Sequence, residues 1–310
     1  MKSLNLKTGY LCNNNCIFCA QADNKPLGNP PTEDLRNAIL NAASTCEKII
    51  FTGGEPTVRD DLLCLIEFAK SLGFKRLQLQ SNVRKLTSLN YCRDLIAAGI
   101  NEFAPSLHGH LPEIHDLHTE RQGSFIETVN ALNNLSQLGQ CVITNTVITS
   151  HNYRYLPLIS EFLISHNVEQ VQFAFVHAVG NGKINDDAIT PRLTDVLPFI
   201  FSALRVALEN NVRCMAESIP LCLMKDYKIY CSEQFIPSIE IRDTHYVDSN
   251  FENTRRNKFK LKPLKCESCM LFSSCEGPWQ EYIYKYGDSE LMPIAAKDKF
   301  TGSRNREDKV

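Results

Sequence analysis

The chain has 310 residues, 43% of them hydrophobic and 22% charged, with 33 Lys and Arg set against 35 Asp and Glu for a net charge of -2. This composition excludes disordered, collagenous and fibrous chains, and the even charge gives no global attraction to nucleic acid or to an anionic membrane. No run approaches the ~20 apolar residues of a spanning helix, and the opening MKSLNLKTGYL lacks the shape of a secretory signal, so a cytoplasmic protein is expected.

From residue 3 to about 216, short runs suited to strands alternate with longer amphipathic runs. Strands are expected over 4–10, 48–52, 76–80, 102–107, 142–148 and 170–176, and helices over 33–43, 60–72, 89–98, 124–138 and 156–166. Pro30, Pro31 and Thr32 give the first helix a stop-and-cap signal, while Gly73, Gly99 and Gly139 stand near helix ends, where a left-handed cap favours glycine. Units of this length need right-handed crossovers and give a parallel sheet with helices outside. The fold class is therefore α/β, an open doubly wound sheet or a barrel, and six units are too few for a full eight-fold barrel. In either case ligands gather in the loops after the strands, which places residues 12–19, 53–56, 81–82 and 106–109 on one rim.

A further helix is expected over 194–208 and a short strand over 212–216, after which the alternation stops. Residues 217–296 carry five of the thirteen cysteines and few helical patterns, as a small loop-rich module organised by metal would. The charged stretch 297–310 reads as a flexible tail, so the expected divisions are 1–216, 217–296 and 297–310.

Thirteen cysteines is a high count for a reducing compartment, and it points to metal rather than to disulfides. Cys46, Cys64, Cys92 and Cys141 stand singly in apolar or helix-like contexts and read as small buried hydrophobes. Cys12, Cys16 and Cys19, by contrast, form a C-x3-C-x2-C triplet in the loop after the first strand. Zinc wants a fourth cysteine or histidine for a closed site and none is adjacent, whereas three thiolates suit a [4Fe-4S] cluster with one iron left open.

CNNNCIFC, with aromatic Phe18 before its last cysteine, resembles the signature of the radical S-adenosylmethionine (radical SAM) enzymes, and Gly53-Gly54-Glu55-Pro56 after the second strand extends the resemblance. The likeness covers roughly residues 3–216 and implies a partial (β/α)6 TIM-like barrel. It implies that SAM chelates the open iron and is cleaved reductively to a 5'-deoxyadenosyl radical, which abstracts a substrate hydrogen atom. It implies further that Gly53 and Gly54 let the backbone approach SAM and that Glu55 accepts from its ammonium. Phe18, Ser81, Asn82, Ser106, His108 and Asn145 stand where cofactor contacts are expected, Asn145 on condition that it points into the barrel. For Ser81, Asn82 and Ser106 a capping role in strand-to-helix loops competes. His108, His110, His115 and His118 read as polar loop histidines at the cofactor rim, with His108 the SAM or substrate contact and a second metal site the weaker alternative.

Near the end, Cys266-x2-Cys269-x5-Cys275 followed by Gly277, Pro278 and Trp279 resembles the later part of the auxiliary-cluster extensions called SPASM and twitch. Trp279 stands where the longer pattern places another cysteine, so one auxiliary iron-sulfur cluster is expected, a [4Fe-4S] cluster, rather than two. Its fourth ligand is Cys222 or Cys231, with Cys222 favoured because Pro220 fixes the loop before it; a structural zinc site on the same thiols competes. A leftover Cys231 or Cys214 is either buried or a hydrogen-atom donor to a substrate radical, as in an epimerase. The basic stretch TRRNKFKLKPLK, residues 254–265, reads as solvated, with an acidic peptide or phosphate as the alternative partner.

The function these features lead to is an iron-sulfur radical enzyme that modifies a peptide or protein and draws electrons from an external donor such as flavodoxin or ferredoxin. The first strand begins within ten residues of the start, so peptide recognition is expected to fall to a separate partner. No membrane partner is expected, and nothing resembling an RNA-binding module appears. Small-molecule dehydrogenases, epimerases and isomerases compete within the same chemistry. A non-catalytic electron carrier would leave the Gly-Gly-Glu segment without purpose, and a zinc-stabilised binding module would dispense with iron.

Overall fold

The computed structural model describes residues 2–236, 238–243 and 246–295. The expected tail over 297–310 lies outside the described residues. Strands β1 (Ser3–Lys7), β2 (Lys48–Thr52), β3 (Arg76–Ser81) and β4 (Glu102–Pro105) pair in parallel in sequence order, and β5 (Ile143–Ile148), β6 (Gln170–Phe175) and β7 (Arg213–Glu217) do the same. Parallel bridges from Phe103 to Val142 and from Ser106 to Asn145 join the two sets into one arc. At the other edge β8 (Ile239–Arg242) lies parallel to β1, and the two-residue β9 (Val247–Asp248) lies antiparallel to β8. Among the described residues β7 and β8 do not pair, so the arc is a partial barrel.

Helices α1 (Thr32–Ala42), α2 (Leu62–Ser71), α3 (Leu89–Ala98), α4 (Pro112–Thr119), α5 (Ser124–Gln137), α6 (Leu156–Ser165) and α7 (Leu193–Glu209) cover the outside. The two-residue period of each strand sorts its side chains. On β1, Leu4 and Leu6 are buried in the core while Asn5 and Lys7 line the lumen. Phe51, Phe103 and Phe173 are fully buried in the same core. None of the helices is long and apolar enough to cross a membrane.

Four expectations need correction. β1 ends at Lys7 rather than at residue 10, because Gly9 turns to positive φ and Tyr10 N–H bonds Gly28 O at 3.0 Å instead of a neighbouring strand. His115 and His118 are not polar loop residues: Pro112 starts α4 at its first position, and both rings are buried. Cys64 is exposed and Cys141 half-buried, although Cys46 and Cys92 are buried as expected. The basic stretch is not simply solvated. Arg255 is buried in a bidentate pair with Glu276, both contacts 2.7 Å, and Lys260 is buried with its ammonium 3.9 Å from the Trp279 ring centroid.

These inward charges organise the C-terminal stretch against the arc. Trp279 Nε1–H donates to Phe175 O of β6 at 3.3 Å, and Leu193 N–H at the start of α7 donates to the Tyr282 hydroxyl at 2.8 Å. Arg255→Met leaves the Glu276 carboxylate buried with only Arg256, 3.3 Å away, to pair with it, and it should cost about 3–5 kcal/mol in urea unfolding. Arg255→Met/Glu276→Leu should recover most of that loss, since the charge left uncompensated is then gone.

Candidate active site

A cavity of about 440 Å3 opens at the C-terminal ends of the strands, and Cys12, Cys16 and Cys19 all line it. Their loop is fastened from several sides. Asn15 N–H and Ile17 N–H bond the carbonyls of Thr119 and His118 at the end of α4, each at 3.0 Å. Arg84, buried after β3, donates to Asn13 O and to Asn14 Oδ1 and pairs with Glu127 of α5. After β6, Asn181 Nδ2 donates to Cys16 O at 2.9 Å and Asn185 Nδ2 to Ile17 O at 2.8 Å. Gly180 makes this docking possible: its φ is +56°, and a Cβ there would lie 2.4 Å from Cys19 O.

Gly53 and Gly54 are also required by close backbone approach, but to the chain itself. A Cβ on Gly53 would meet Gly9 O at 2.3 Å, and one on Gly54 would meet Leu11 O at 2.4 Å. Gly54 N–H and Glu55 N–H bond those same two carbonyls at 2.7 and 2.9 Å, zipping the turn after β2 onto the segment that leads into Cys12. The buried Glu55 carboxylate accepts from Thr57 N–H, the Thr57 hydroxyl and the Ser81 hydroxyl at Oε1, and from Asn82 N–H at Oε2. Burial raises its pKa and these donors pull it back. Oε2, with one donor, keeps the spare acceptor capacity of this side chain.

The remaining expected contacts surround the same cavity, which Phe18, Ser81, Asn82, Ser106, His108 and Asn145 all line. Asn82 turns its amide toward the cysteine loop, donating to Asn13 Oδ1 at 2.7 Å and lying 3.9 Å from Cys12 Sγ; its Oδ1 accepts from Arg84 N–H, a local turn bond. Asn145 does point into the barrel, and its Oδ1 is buried without a hydrogen-bond partner. Phe18 packs edge-on to the His108 ring at 4.7 Å between centroids.

Beneath Phe18 the histidines form a neutral floor rather than a metal site. His108 Nδ1 accepts from Val147 N–H, and His108 N–H donates to His115 Nδ1 at 3.1 Å. Both rings therefore carry their proton on Nε2, which makes His108 Nε2–H a donor for the cavity. His118 Nδ1–H donates to Ile114 O, so its Nε2 accepts from the Thr149 hydroxyl at 2.7 Å. Burial depresses all three pKa values, that of His115 to about 3 and that of His118 to about 4.

A second, smaller cavity is lined by Cys222, Cys266, Cys269 and Cys275. Backbone N–H groups of Gly277 and Ile294 point at Cys275 Sγ and Cys269 Sγ at 3.4 and 3.3 Å, the arrangement a thiolate favours. Cys231 lines neither cavity, and Cys214 belongs to the hydrophobic core. The hydrogen-donor expectation for Cys231 or Cys214 is thus corrected: both thiols are buried away from the large cavity, with pKa raised by burial. Neither thiol group converges on a single-ion site among the described residues. Sequence reasoning missed Arg84, Asn181, Asn185, Lys7 and Glu217. It met Trp279 only as an absent cysteine, whereas the ring lines the large cavity and stacks on His177 at 3.9 Å.

Residues 6–163 match the model of the radical SAM superfamily, and the chain belongs to that superfamily. It is similar to the 7,8-dihydro-6-hydroxymethylpterin dimethyltransferase of Methanocaldococcus jannaschii, 37% identical over 102 residues, which cover 31% of this chain and 20% of that protein. It is similar also to the Fe-coproporphyrin III synthase of Methanosarcina barkeri, 27% identical over 181 residues, or 57% of this chain and 45% of that protein. The chain thus spans less than half the length of these curated relatives. Its fold resembles that of Streptococcus suis SuiB bound to the precursor peptide SuiA, with a TM-score of 0.68 at 16% identity over 91% of this chain and 72% of that one. The superfamily implies SAM and a [4Fe-4S] cluster, and the sulfur-only donor set at the rim of this cavity fits such a cluster.

Two outcomes follow from this geometry. Gly28 and Gly180 have similar positive φ, but only Gly180 has backbone in the way of a Cβ. Gly28→Ala should therefore cost about 1–3 kcal/mol of stability alone, while Gly180→Ala should in addition lower the iron bound per chain after anaerobic reconstitution. The second concerns acid. The unfolded chain takes up protons near pH 6.5 that the folded His108, His115 and His118 refuse. Their contribution is full above that value and drains as pH falls toward the folded values. His115→Asn keeps an acceptor for His108 N–H, and it should reduce the stability lost between about pH 7.5 and about pH 5 by roughly 2 kcal/mol in urea melts.

Proposed function

We propose that this chain is a radical SAM enzyme that modifies a peptide or protein. One observation carries the radical chemistry: three thiols, the Gly53-Gly54-Glu55 turn and an open acceptor at Asn145 share one cavity at the mouth of the arc. Cys12, Cys16 and Cys19 would hold the cluster, which with SAM supplies one-electron cleavage to a 5'-deoxyadenosyl radical that abstracts a substrate hydrogen atom.

The protein's share is to position and to shield. Phe18, packed on the buried His108, backs the cysteine loop from below. Ser81 and Asn82 brace Glu55, and His108 Nε2–H and Asn145 Oδ1 offer a donor and an acceptor to the cofactor. Residues 222–275 supply four thiols for one auxiliary iron-sulfur cluster, with Cys222 as the fourth ligand because it lines the small cavity and Cys231 does not. An external carrier such as flavodoxin or ferredoxin delivers the electron. The likeness to SuiB, which extends over the C-terminal stretch, supports a peptide substrate.

A small-molecule dehydrogenase, epimerase or isomerase is the second reading. It is favoured by the cavity volume, which suits a compact ligand, and by relatives named for work on pterin and porphyrin compounds. The test is anaerobic reconstitution followed by dithionite reduction with SAM. Wild type should form 5'-deoxyadenosine with about eight irons bound per chain, four for each cluster, and Cys12→Ala/Cys16→Ala/Cys19→Ala should lose both the product and about half the iron. Intact clusters that never cleave SAM would return the chain to the electron-carrier class.

A further inference from the structure

Below the cysteine loop the large cavity continues into the lumen, where Asn5 and Lys7 stand on adjacent inward positions of β1. The site described above uses neither. Among the described residues no carboxylate lies at ion-pair distance from the Lys7 ammonium; the negative groups that act on it from further off are Asp243, just beyond β8, and Cys19. Asp243 is itself engaged by the Tyr10 hydroxyl. Lys7 is half-buried at the cavity wall, and desolvation there lowers its pKa below the usual lysine value. One pleat deeper, Asn5 Oδ1 is buried with no hydrogen-bond partner. The protein thus leaves a cation and a buried acceptor without partners of its own at adjacent inward positions of one strand. A ligand that brings a carboxylate with an N–H or O–H beside it satisfies both.

We propose that Lys7 and Asn5 form a substrate subsite, Lys7 holding a carboxylate and Asn5 Oδ1 accepting from a neighbouring N–H or O–H. The substrate then carries an acidic group next to an amide or hydroxyl, as an acidic residue of a peptide does. This rests on the reading of the cavity as the place where substrate meets the radical. SAM also has a carboxylate, and Lys7 stands within reach of either source: β1 lies between β8, which Asp243 follows, and β2, where Thr52 pairs with Lys7 just before Gly53. The SAM affinity of Lys7→Met therefore distinguishes the two.

Trp279 is the only tryptophan in the sequence and lines this cavity, so its fluorescence reports occupancy. The anaerobically reconstituted full chain is titrated with glutarate, and with glutaramide as the uncharged probe of the same length. Glutarate should give a saturating change in wild type that weakens at least about tenfold in Lys7→Met and survives in Lys7→Arg, with no response to glutaramide; such a step corresponds to one bound charge contact. SAM affinity, measured by equilibrium dialysis, should stay within about twofold in Lys7→Met, and far-UV circular dichroism melts establish that the variant is folded. Equal glutarate binding in wild type and Lys7→Met, or none in wild type, overturns the subsite. A tenfold loss of SAM affinity in Lys7→Met overturns it as a substrate site and gives the carboxylate to the cofactor. Wild-type 5'-deoxyadenosine formation is scored separately: glutarate binding without SAM cleavage removes the radical reading and leaves the carboxylate site standing.

Discussion

The mouth of the arc depends on how closely two stretches of backbone approach. The turn at Gly53 and Gly54 lies against Gly9–Leu11 so tightly that neither position has room for a Cβ, and its amides bond the very carbonyls it approaches. This contact sets where the chain leaves β1 and enters the cysteine loop, and Glu55 carries the constraint onward to Ser81 and Asn82 after β3. Three consecutive strand ends are thereby locked into one unit before any ligand arrives. A prepared site of this kind loses little freedom on binding, and positioning is what a protein contributes when the cofactor supplies the chemistry.

The C-terminal stretch completes the same cavity from the other end of the arc. β8 adds a parallel strand beside β1, and Trp279, Phe251 and Ile241 reach the cavity that the strand-helix units leave open. The wall opposite the cysteine loop is thus built from residues far along the chain. Buried charge holds that wall in place, with Arg255 on Glu276 and Lys260 lodged over Trp279 and 3.6 Å from Glu233. The stretch that carries the second set of thiols is therefore continuous with the first site through the His177–Trp279 stack.

Much of this was legible in the sequence, for local reasons. β2 and α3 have the predicted bounds, since periodicity and Gly99 are local signals. The thiols, the Gly-Gly-Glu turn and the polar residues after β3 and β4 were found because short spacing and strand position are enough to gather them. What escaped depends on distant partners. The short β8 finds its place only against β1, more than 230 residues away. Arg255 and Lys260 look solvated until Glu276 and Glu233 are set beside them. The alternation of Leu4, Asn5, Leu6 and Lys7 is plain in the sequence, but which pair faces inward is decided by the curvature of the whole arc. The sequence shows that Gly53 and Gly54 serve a close approach, but not that part of the crowding comes from the chain itself, at Gly9, Tyr10 and Leu11.

The neutral histidine floor bears on electron transfer. His108, His115 and His118 are polar yet uncharged, and their hydrogen bonds to Val147 N–H, His108 N–H and the Thr149 hydroxyl are already spent on the protein. A centre resting above them that gains an electron finds dipoles beneath it but no counter-charge. The reduction potential of iron-sulfur centres follows net charge, hydrogen bonding to sulfur and exposure to solvent. On this side, an uncharged floor would leave that potential lower than one carrying imidazolium charge. A cluster held by the cysteine loop would then depend on a strongly reducing one-electron source more than it would over charged histidines.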